Sequence, residues 1–384
     1  MLKPNEEIES LSLPKKVGIL TMHYADNFGS VLQAYALQEA LKSLGYQPEF
    51  INFLTQKERD NHDYGIHPFK RLRTLGFRSG MYKILSSIYS YNNNKKRKKL
   101  FDKFRQQYLN VDSKIFVTDD NIRHFAKDYN ILLTGSDQVW NPYFILPDGQ
   151  AYLLNFANKN QKKCSYAASI AVAPLKMETI DFSLISDFDG ISIREEKQKN
   201  KLIELSKRED IQVHIDPTFL LDKSSWLKIS DSPKLKNKYI FIYDLVPSQE
   251  LITFANKMAT KFHLDIVSFS NRNGFKNNVL WLQNCSPSSF LGLLNNAAYS
   301  ISSSFHGVAL SIIFEKNFIA FPHPTRGSRI TGLLKLTNFE NRLIYNADDF
   351  DDFDFSDIDY SPVKSIIEKE KEKAFSYLKS FGKN

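Results

Sequence analysis

The sequence predicts an α/β chain built as two strand–helix alternating lobes that face a cleft. Three observations predict it. Short apolar runs of strand length alternate with longer runs of helical spacing, the pattern of parallel sheets with crossover helices. The alternation occurs twice, on either side of a polar stretch, Asp222 to Lys238, rich in Lys, Ser and Pro. The 384 residues, 42% hydrophobic and 24% charged, suit two or three soluble domains of about 150 residues each.

The elements follow in order. After a loose leader, Met1 to Pro14, the run KVGIL (Lys16 to Leu20) reads as a buried first strand. A loop, TMHYADNFG, leads to Ser30, where an apolar-periodic run begins. Val31, Leu32, Tyr35, Leu37, Leu41 and Leu44 share a helical face, and Gly45 closes the helix. Pro48 to Leu54 is the second strand, which completes the opening unit of a parallel sheet. Thr55 to Phe116 is basic and aromatic, carries NNNKKRKK, and reads as a helical insertion. Further strands are expected at Asn130 to Thr134, Lys163 to Ala167, Gly190 to Ile193 and Gln212 to Ile215. The second alternation starts at YIFIY (Tyr239 to Tyr243). A helix over Gln249 to Phe262, a strand at Asp265 to Phe269 and a helix near Ser288 to Asn296 follow. Then come a strand at Ala298 to Ser302, a helix over Val308 to Phe314 and a strand at Phe318 to Phe321. Ser361 to Phe381 reads as a charged amphipathic helix. These elements divide the chain into an N-terminal lobe, 1–222, with its insertion at about 55–116, a C-terminal lobe, 223–350, and a helical segment, 351–384.

Composition excludes several classes. Two cysteines, Cys164 and Cys285, give no disulfide scaffold and no Cys-based zinc or iron–sulfur site, and suit a reducing compartment. No run of about 18 apolar residues exists to cross a bilayer as a helix, and the N-terminus lacks the apolar region of a signal peptide. The expected location is cytoplasmic. Lys and Arg number 51 against 43 Asp and Glu, a net charge of +8 that favours anionic partners or reflects simple Lys enrichment. The Lys95 to Lys99 run reads as a solvated helix face, or as a peripheral contact with an anionic membrane surface. Nucleic acid has no supporting motif.

Candidate site residues cluster at strand ends, where ligands of open α/β sheets bind. His306, in SISSSFHGVALSIIF, stands between a strand and a helix N-terminus, where amides and the helix dipole favour an anion. A neutral His there can donate or accept a proton near neutral pH, or can simply cap or pack, with Ser303 and Ser304 making the turn before Gly307. The loop His23, Tyr24, Asp26, Asn27, Gly29 occupies the place of a phosphate-binding turn without the dinucleotide fingerprint. Its other reading is N-capping by Asn27 or Ser30. Gly135, Ser136 and Asp137 end another strand, where Asp137 suits a sugar hydroxyl or a base, or caps the turn. Arg194 closes a strand, and Arg326 and Arg329 follow the last one. Guanidinium groups bind carboxylate or phosphate in bidentate fashion.

Several segments occur in an order that resembles the polysaccharide pyruvyl transferase family. They are GILTMHYADNFGSVLQAYALQEALKSLGY, ILLTGSDQVWNP, YAAS, SIREEK, HIDPTFLLDKSSW, SPSSFLGLLNNAAYSISSSFHGVALSIIF and SRITGLLKLTNFENRL. The resemblance runs from about Val17 to Arg342 and is weakest over Thr55 to Phe116. It implies two Rossmann-like lobes in a GT-B-like fold. It also implies transfer of the pyruvyl group of phosphoenolpyruvate to a sugar, as a cyclic ketal across two hydroxyls of a surface polysaccharide or cell-wall unit. His306 falls on the family's catalytic histidine and Arg194 on an arginine of its mid-chain motif. Where many members carry an arginine two residues before that histidine, this chain has Ser304. Arg329 or Arg326 is expected to supply the missing charge, unless this branch uses another donor. On this reading His306 is the acid/base, Arg194 and Arg329 clamp the donor, and Asp137 with the Asp26–Asn27 loop holds a glycan acceptor carried on a lipid. Phosphoenolpyruvate is a substrate, and no cofactor or metal is required. A sugar-nucleotide glycosyltransferase and a non-catalytic glycan-binding relative are the alternatives.

Overall fold

The computed structural model of the chain describes residues 15–55, 81–114, 119–146, 149–246, 248–269, 274–276, 278–322 and 327–382. The leader, residues 56–80 of the insertion and Arg326 lie outside them.

The N-terminal lobe is a parallel sheet. β1 (Lys16–Leu20) pairs with β2 (Gln47–Phe50) on one side and β3 (Ile131–Thr134) on the other, and β3 pairs with β4 (Lys162–Ser165). Single bridges through Gly190, Ala168 and Ile193 extend it towards the short pair β5 (Ser192–Ile193) and β6 (Gln212–Val213). β1 and β3 are apolar on both faces, as strands covered on both sides must be. α1 (Phe28–Ser43) starts earlier than the apolar period suggests, because the Asn27 side chain accepts from the Ser30 amide and caps it. Gly45, at φ +82°, provides the left-handed exit.

The insertion contributes α2 (Met81–Tyr108), a 28-residue helix, and α3 (Asp119–Ala126) precedes β3. Arg97 and Arg105 of α2 reach back to the loop before α1. Arg97 donates to the Asp26 carbonyl, and Arg105 pairs with the Asp26 carboxylate at 2.8 Å. Short turns α4 (Pro142–Ile145) and α5 (Pro174–Met177), then α6 (Glu196–Ser206) and α7 (Lys223–Leu227), complete the path to the second lobe.

The second lobe is a parallel sheet ordered β11-β10-β7-β8-β9. Its strands are β7 (Tyr239–Tyr243), β8 (Asp265–Ser268), β9 (Val279–Trp281), β10 (Tyr299–Ser302) and β11 (Phe318–Ala320). α8 (Gln249–Phe262), α9 (Pro287–Asn296), α10 (Phe305–Ile313) and α11 (Gly327–Leu336) connect or follow them. The last helix, α12 (Ser361–Ser380), spans both lobes. Val363 joins Phe318, Phe339 and Tyr360 of the second lobe, while Ala374, Tyr377 and Leu378 pack among Val17, Ile131 and Leu133 of the first.

One apolar cluster also crosses between the lobes. Phe28 of α1 stacks on Phe290 of α9 at 4.3 Å and meets Tyr243 and Phe269 edge-on. Such aromatic contacts add to area burial in holding the two sheets' ends together.

Candidate active site

Parallel strands end on the same edge, so the residues following β3, β5 and β6 come together. These are Ser136 and Asp137, Arg194, and Asp216. Asp216 is the hub. Its Oδ2 accepts from Arg194 Nη1 at 2.5 Å and from Ser136 Oγ at 3.3 Å, and its Oδ1 accepts from Thr218 N at 3.0 Å and Thr218 Oγ1 at 2.8 Å. Burial alone would raise the Asp216 carboxyl. The charges of His306 and Arg194 outweigh it and hold the group well below the usual carboxylate range. Arg194 lies flat over the Phe305 ring, 4.4 Å from its centroid, and its Nε reaches Glu195 at 3.4 Å. Burial would lower this guanidinium, but Asp216, Glu195 and Asp137 raise it. Glu195 is itself held by Ser169 Oγ and the Ile170 amide.

The second lobe delivers His306 to the same group. α10 begins at Phe305, so His306 lies in its first turn and not ahead of it. The Ser304 side chain makes no capping bond, which leaves the first-turn amides with their donors. His306 Nε2 lies 3.4 Å from Asp216 Oδ2 across the seam, within ion-pair range but outside hydrogen-bond geometry. The other side of the ring rests on Gly29 at the start of α1: a Cβ there would lie 2.1 Å from Nδ1, so only glycine admits this approach. The ring is 6% exposed, a seam residue rather than the open cleft residue the sequence suggests. Two buried donors of this group, Arg194 Nη2 and His306 Nε2, have no hydrogen-bond partner among the described residues.

Asp137 is positioned rather than free. It holds φ +68°, a left-handed conformation uncommon outside glycine, and its carboxylate accepts from Ser30 Oγ at 2.6 Å. Gly135 donates to the Leu20 carbonyl, and a Cβ there would press on Leu37 and Thr21. Gly307 packs against Ser302 Oγ, which donates to the Tyr243 carbonyl and so fixes the turn into α10. Ser303 Oγ accepts from the Leu245 amide, and Ser304 N donates to Ser302 Oγ.

Other expectations are corrected. His23 is 1% exposed, stacks on Phe50 and donates from Nδ1 to the Thr21 carbonyl. Burial pushes it down to about 4, so it is a neutral core residue and not a lining one. Asn27 is the α1 cap, and Asp26 is tied to Arg97 and Arg105. Arg194, expected as a donor clamp, has Nη1 and Nε committed to Asp216 and Glu195, leaving Nη2. Arg329 is buried on α11, which packs beside α10. Asp216 and Glu195 are the residues that the reading of strand ends missed. Asp216 follows a short strand in the same way as Asp137, and that signal could have found it.

A cavity of about 630 Å³ lies elsewhere, between α2 and the second lobe, lined by Lys103, Phe104, Asp231, Leu280, Cys285 and Ser289. Among the described residues, no group of three or more His, Cys, Asp and Glu is arranged to hold a metal. Among the same residues, no helix is long and apolar enough to cross a membrane.

In architecture the chain is similar to the solved structure of a putative UDP-N-acetylglucosamine 2-epimerase from Listeria monocytogenes. The two are 12% identical, with 94% of this chain and 91% of that one covered and a TM-score of 0.53. UDP-GlcNAc 2-epimerases from Neisseria meningitidis (10% identity, 96% and 94% covered, TM-score 0.46) and Methanocaldococcus jannaschii (10% identity, 92% and 92% covered, TM-score 0.45) also match. The fold is GT-B-like, two parallel-sheet lobes with their strand ends opposed. No curated protein matches the chain in sequence. The family model described as polysaccharide pyruvyl transferase matches residues 27–324, a span that holds Gly29, Asp137, Arg194, Asp216 and His306, and the chain therefore belongs to the polysaccharide pyruvyl transferase family.

Proposed function

We propose that the protein transfers the pyruvyl group of phosphoenolpyruvate to a sugar of a surface polysaccharide or cell-wall repeat unit, forming a cyclic ketal, with His306 as acid and base. The observation that carries this reading is the meeting of His306, at the amide-rich start of α10, with Arg194 and Asp216 of the other lobe, where two buried donors lack partners. A small dianion offers acceptors for both donors and for the first-turn amides.

The chemistry balances with no redox partner. His306 gives a proton to the terminal CH₂ of the enol, which becomes the ketal methyl. The first sugar hydroxyl adds to the adjacent carbon and returns its proton to the imidazole. The carbon–oxygen bond to phosphate then breaks, and the second hydroxyl adds to close the ring while its proton goes to the departing phosphate, which leaves as hydrogen phosphate. One imidazole alternates between the two roles, and preorganised donors offset charge on the departing phosphate. On this reading Asp137, whose carboxylate is held by Ser30 Oγ, accepts from an acceptor hydroxyl.

A lipid-linked glycan is the proposed acceptor. The exposed lysines Lys95, Lys96 and Lys99 of α2 support peripheral contact with an anionic membrane surface at the cytoplasmic face. The test is incubation with phosphoenolpyruvate and a lipid-linked glycan pool, with phosphate release and the added pyruvyl mass as readouts. The wild type is expected to show both, and His306→Gln neither, with its melting temperature retained. Normal turnover by His306→Gln, or thermal stabilisation by sugar nucleotides and not by phosphoenolpyruvate, overturns the reading.

A further inference from the structure

We propose that Asp216 is a positioning residue for His306, and that it couples the acid–base step to apposition of the two lobes. The inference rests on the proposed role of His306 but adds a second residue, from the opposite lobe, that makes that role conditional.

Asp216 is anchored entirely within the first lobe, by Arg194 Nη1, Ser136 Oγ, and the amide and hydroxyl of Thr218. Its side chain is fully buried, and among the described residues its ion-pair contact from the second lobe is His306, at 3.4 Å. Four fixed donors leave the carboxylate no freedom to follow the ring. The imidazole therefore meets it in one relative placement of the lobes. Gly29 completes the seat, since nothing larger fits between α1 and the ring.

Two consequences follow. The Asp216 carboxylate facing Nε2 fixes the orientation of the ring that the proposed acid–base step uses. When the lobes part, His306 loses the carboxylate that orients it. Chemistry is then confined to the closed state, where water is excluded.

The charged groups facing this pair are Arg194, Glu195 and Asp137, all from the first lobe. Glu195 is held by Ser169 and the Ile170 amide and Asp137 by Ser30, and the carboxylate within ion-pair range of the ring is that of Asp216.

The experiment compares wild type, Asp216→Asn and Gly29→Ala in the full chain. Asn keeps the shape and loses the charge, and Ala at 29 keeps the charge but pushes the ring away. Both are expected to lower kcat for phosphoenolpyruvate-dependent phosphate release about 10- to 100-fold, while KM for phosphoenolpyruvate changes less than about threefold. The ¹⁵N signal of His306 Nε2, assigned by its loss in His306→Gln, is expected to shift in both variants as the ring loses its carboxylate neighbour or its seat. Unchanged kcat, or an unchanged ring signal in folded Asp216→Asn, overturns the coupling. The ring signal needs no turnover. If wild type releases no phosphate from phosphoenolpyruvate, the proposed function fails while the coupling is still judged on that signal.

Discussion

Replacing Arg194 by Met removes the countercharge of a carboxylate that has no access to water. The Arg194 side chain is 4% exposed and the Asp216 side chain 0%. Breaking a buried pair by deleting one partner costs about 3–5 kcal/mol, because the remaining charge stays desolvated. Three features move the expectation within that range. Ser136, Thr218 and His306 still face the carboxylate, which favours the low end. Loss of the guanidinium from the Phe305 ring adds about 0.5–2 kcal/mol, and the Met side chain recovers part of that packing. The net expectation is about 3 kcal/mol, read as unfolding free energy from urea titration at pH 7. Because Asp216 is held below its ordinary range when folded, its contribution is present at neutral pH and is lost as the pH falls through that lowered value. In Arg194→Met the carboxyl protonates sooner, so the gap between variant and wild type narrows below about pH 4. The double variant Arg194→Met, Asp216→Asn has no charge left to strand and is expected to recover at least about 1 kcal/mol over the single one. An Arg194→Met protein within about 1 kcal/mol of wild type, or a double variant that is simply additive, refutes the buried-pair account.

Other perturbations test the frame around the site. Burial pushes His23 and His214 each down to about 4, so both stay neutral in the fold while the unfolded chain takes up protons below about 6.5. Stability is therefore expected to fall between pH 6.5 and 4 with a slope of up to about 1.4 kcal/mol per unit for each, and His23→Phe with His214→Phe should flatten that limb in urea titrations at stepped pH. The Tyr377 hydroxyl donates to the Ser165 carbonyl at 2.9 Å, and Tyr377→Phe is expected to cost about 1 kcal/mol. A Cβ at Gly190 would meet that hydroxyl at 2.9 Å, so Gly190→Ala should destabilise the wild type more than it destabilises Tyr377→Phe, as measured by a double-mutant cycle.

The opening strand of each lobe was legible because it is a short apolar run with polar ends, and β1 and β7 fall where KVGIL and YIFIY place them. Two surface elements were not. β9 is an edge strand whose residues are half-buried or exposed, so no apolar run marks it. α6 is mostly polar, and only Gln198, Leu202 and Ser206 are buried. At the site, strand-end position pointed to Ser136, Asp137, Arg194 and His306. Asp216 escaped because Asp-Pro reads as a turn before a linker, and its role comes from partners far along the chain. His23 was misread for the same reason. Its neutral, buried state is set by Phe50, which is brought alongside by the β1–β2 pairing and not by any neighbour in sequence.

The seam also explains why a buried ion pair is retained where apolar packing would hold the lobes at least as well. Closure already has a driving force: Phe28 is buried among Phe290, Tyr243 and Phe269 of the second lobe. Large apolar side chains of this kind contribute about 1.5–3 kcal/mol each, whereas a buried ion pair roughly breaks even against its own desolvation. The two kinds of contact stand side by side on α1, where Phe28 supplies the apolar anchor and Gly29 the gap that receives the imidazole. The aromatic contact fixes how far apart the lobes sit, and the Asp216–His306 contact fixes what the ring does there. Stability and chemistry are assigned to adjacent residues of one helix, so a substitution at Phe28 acts on both, while one at Asp216 acts on the ring with the aromatic anchor intact.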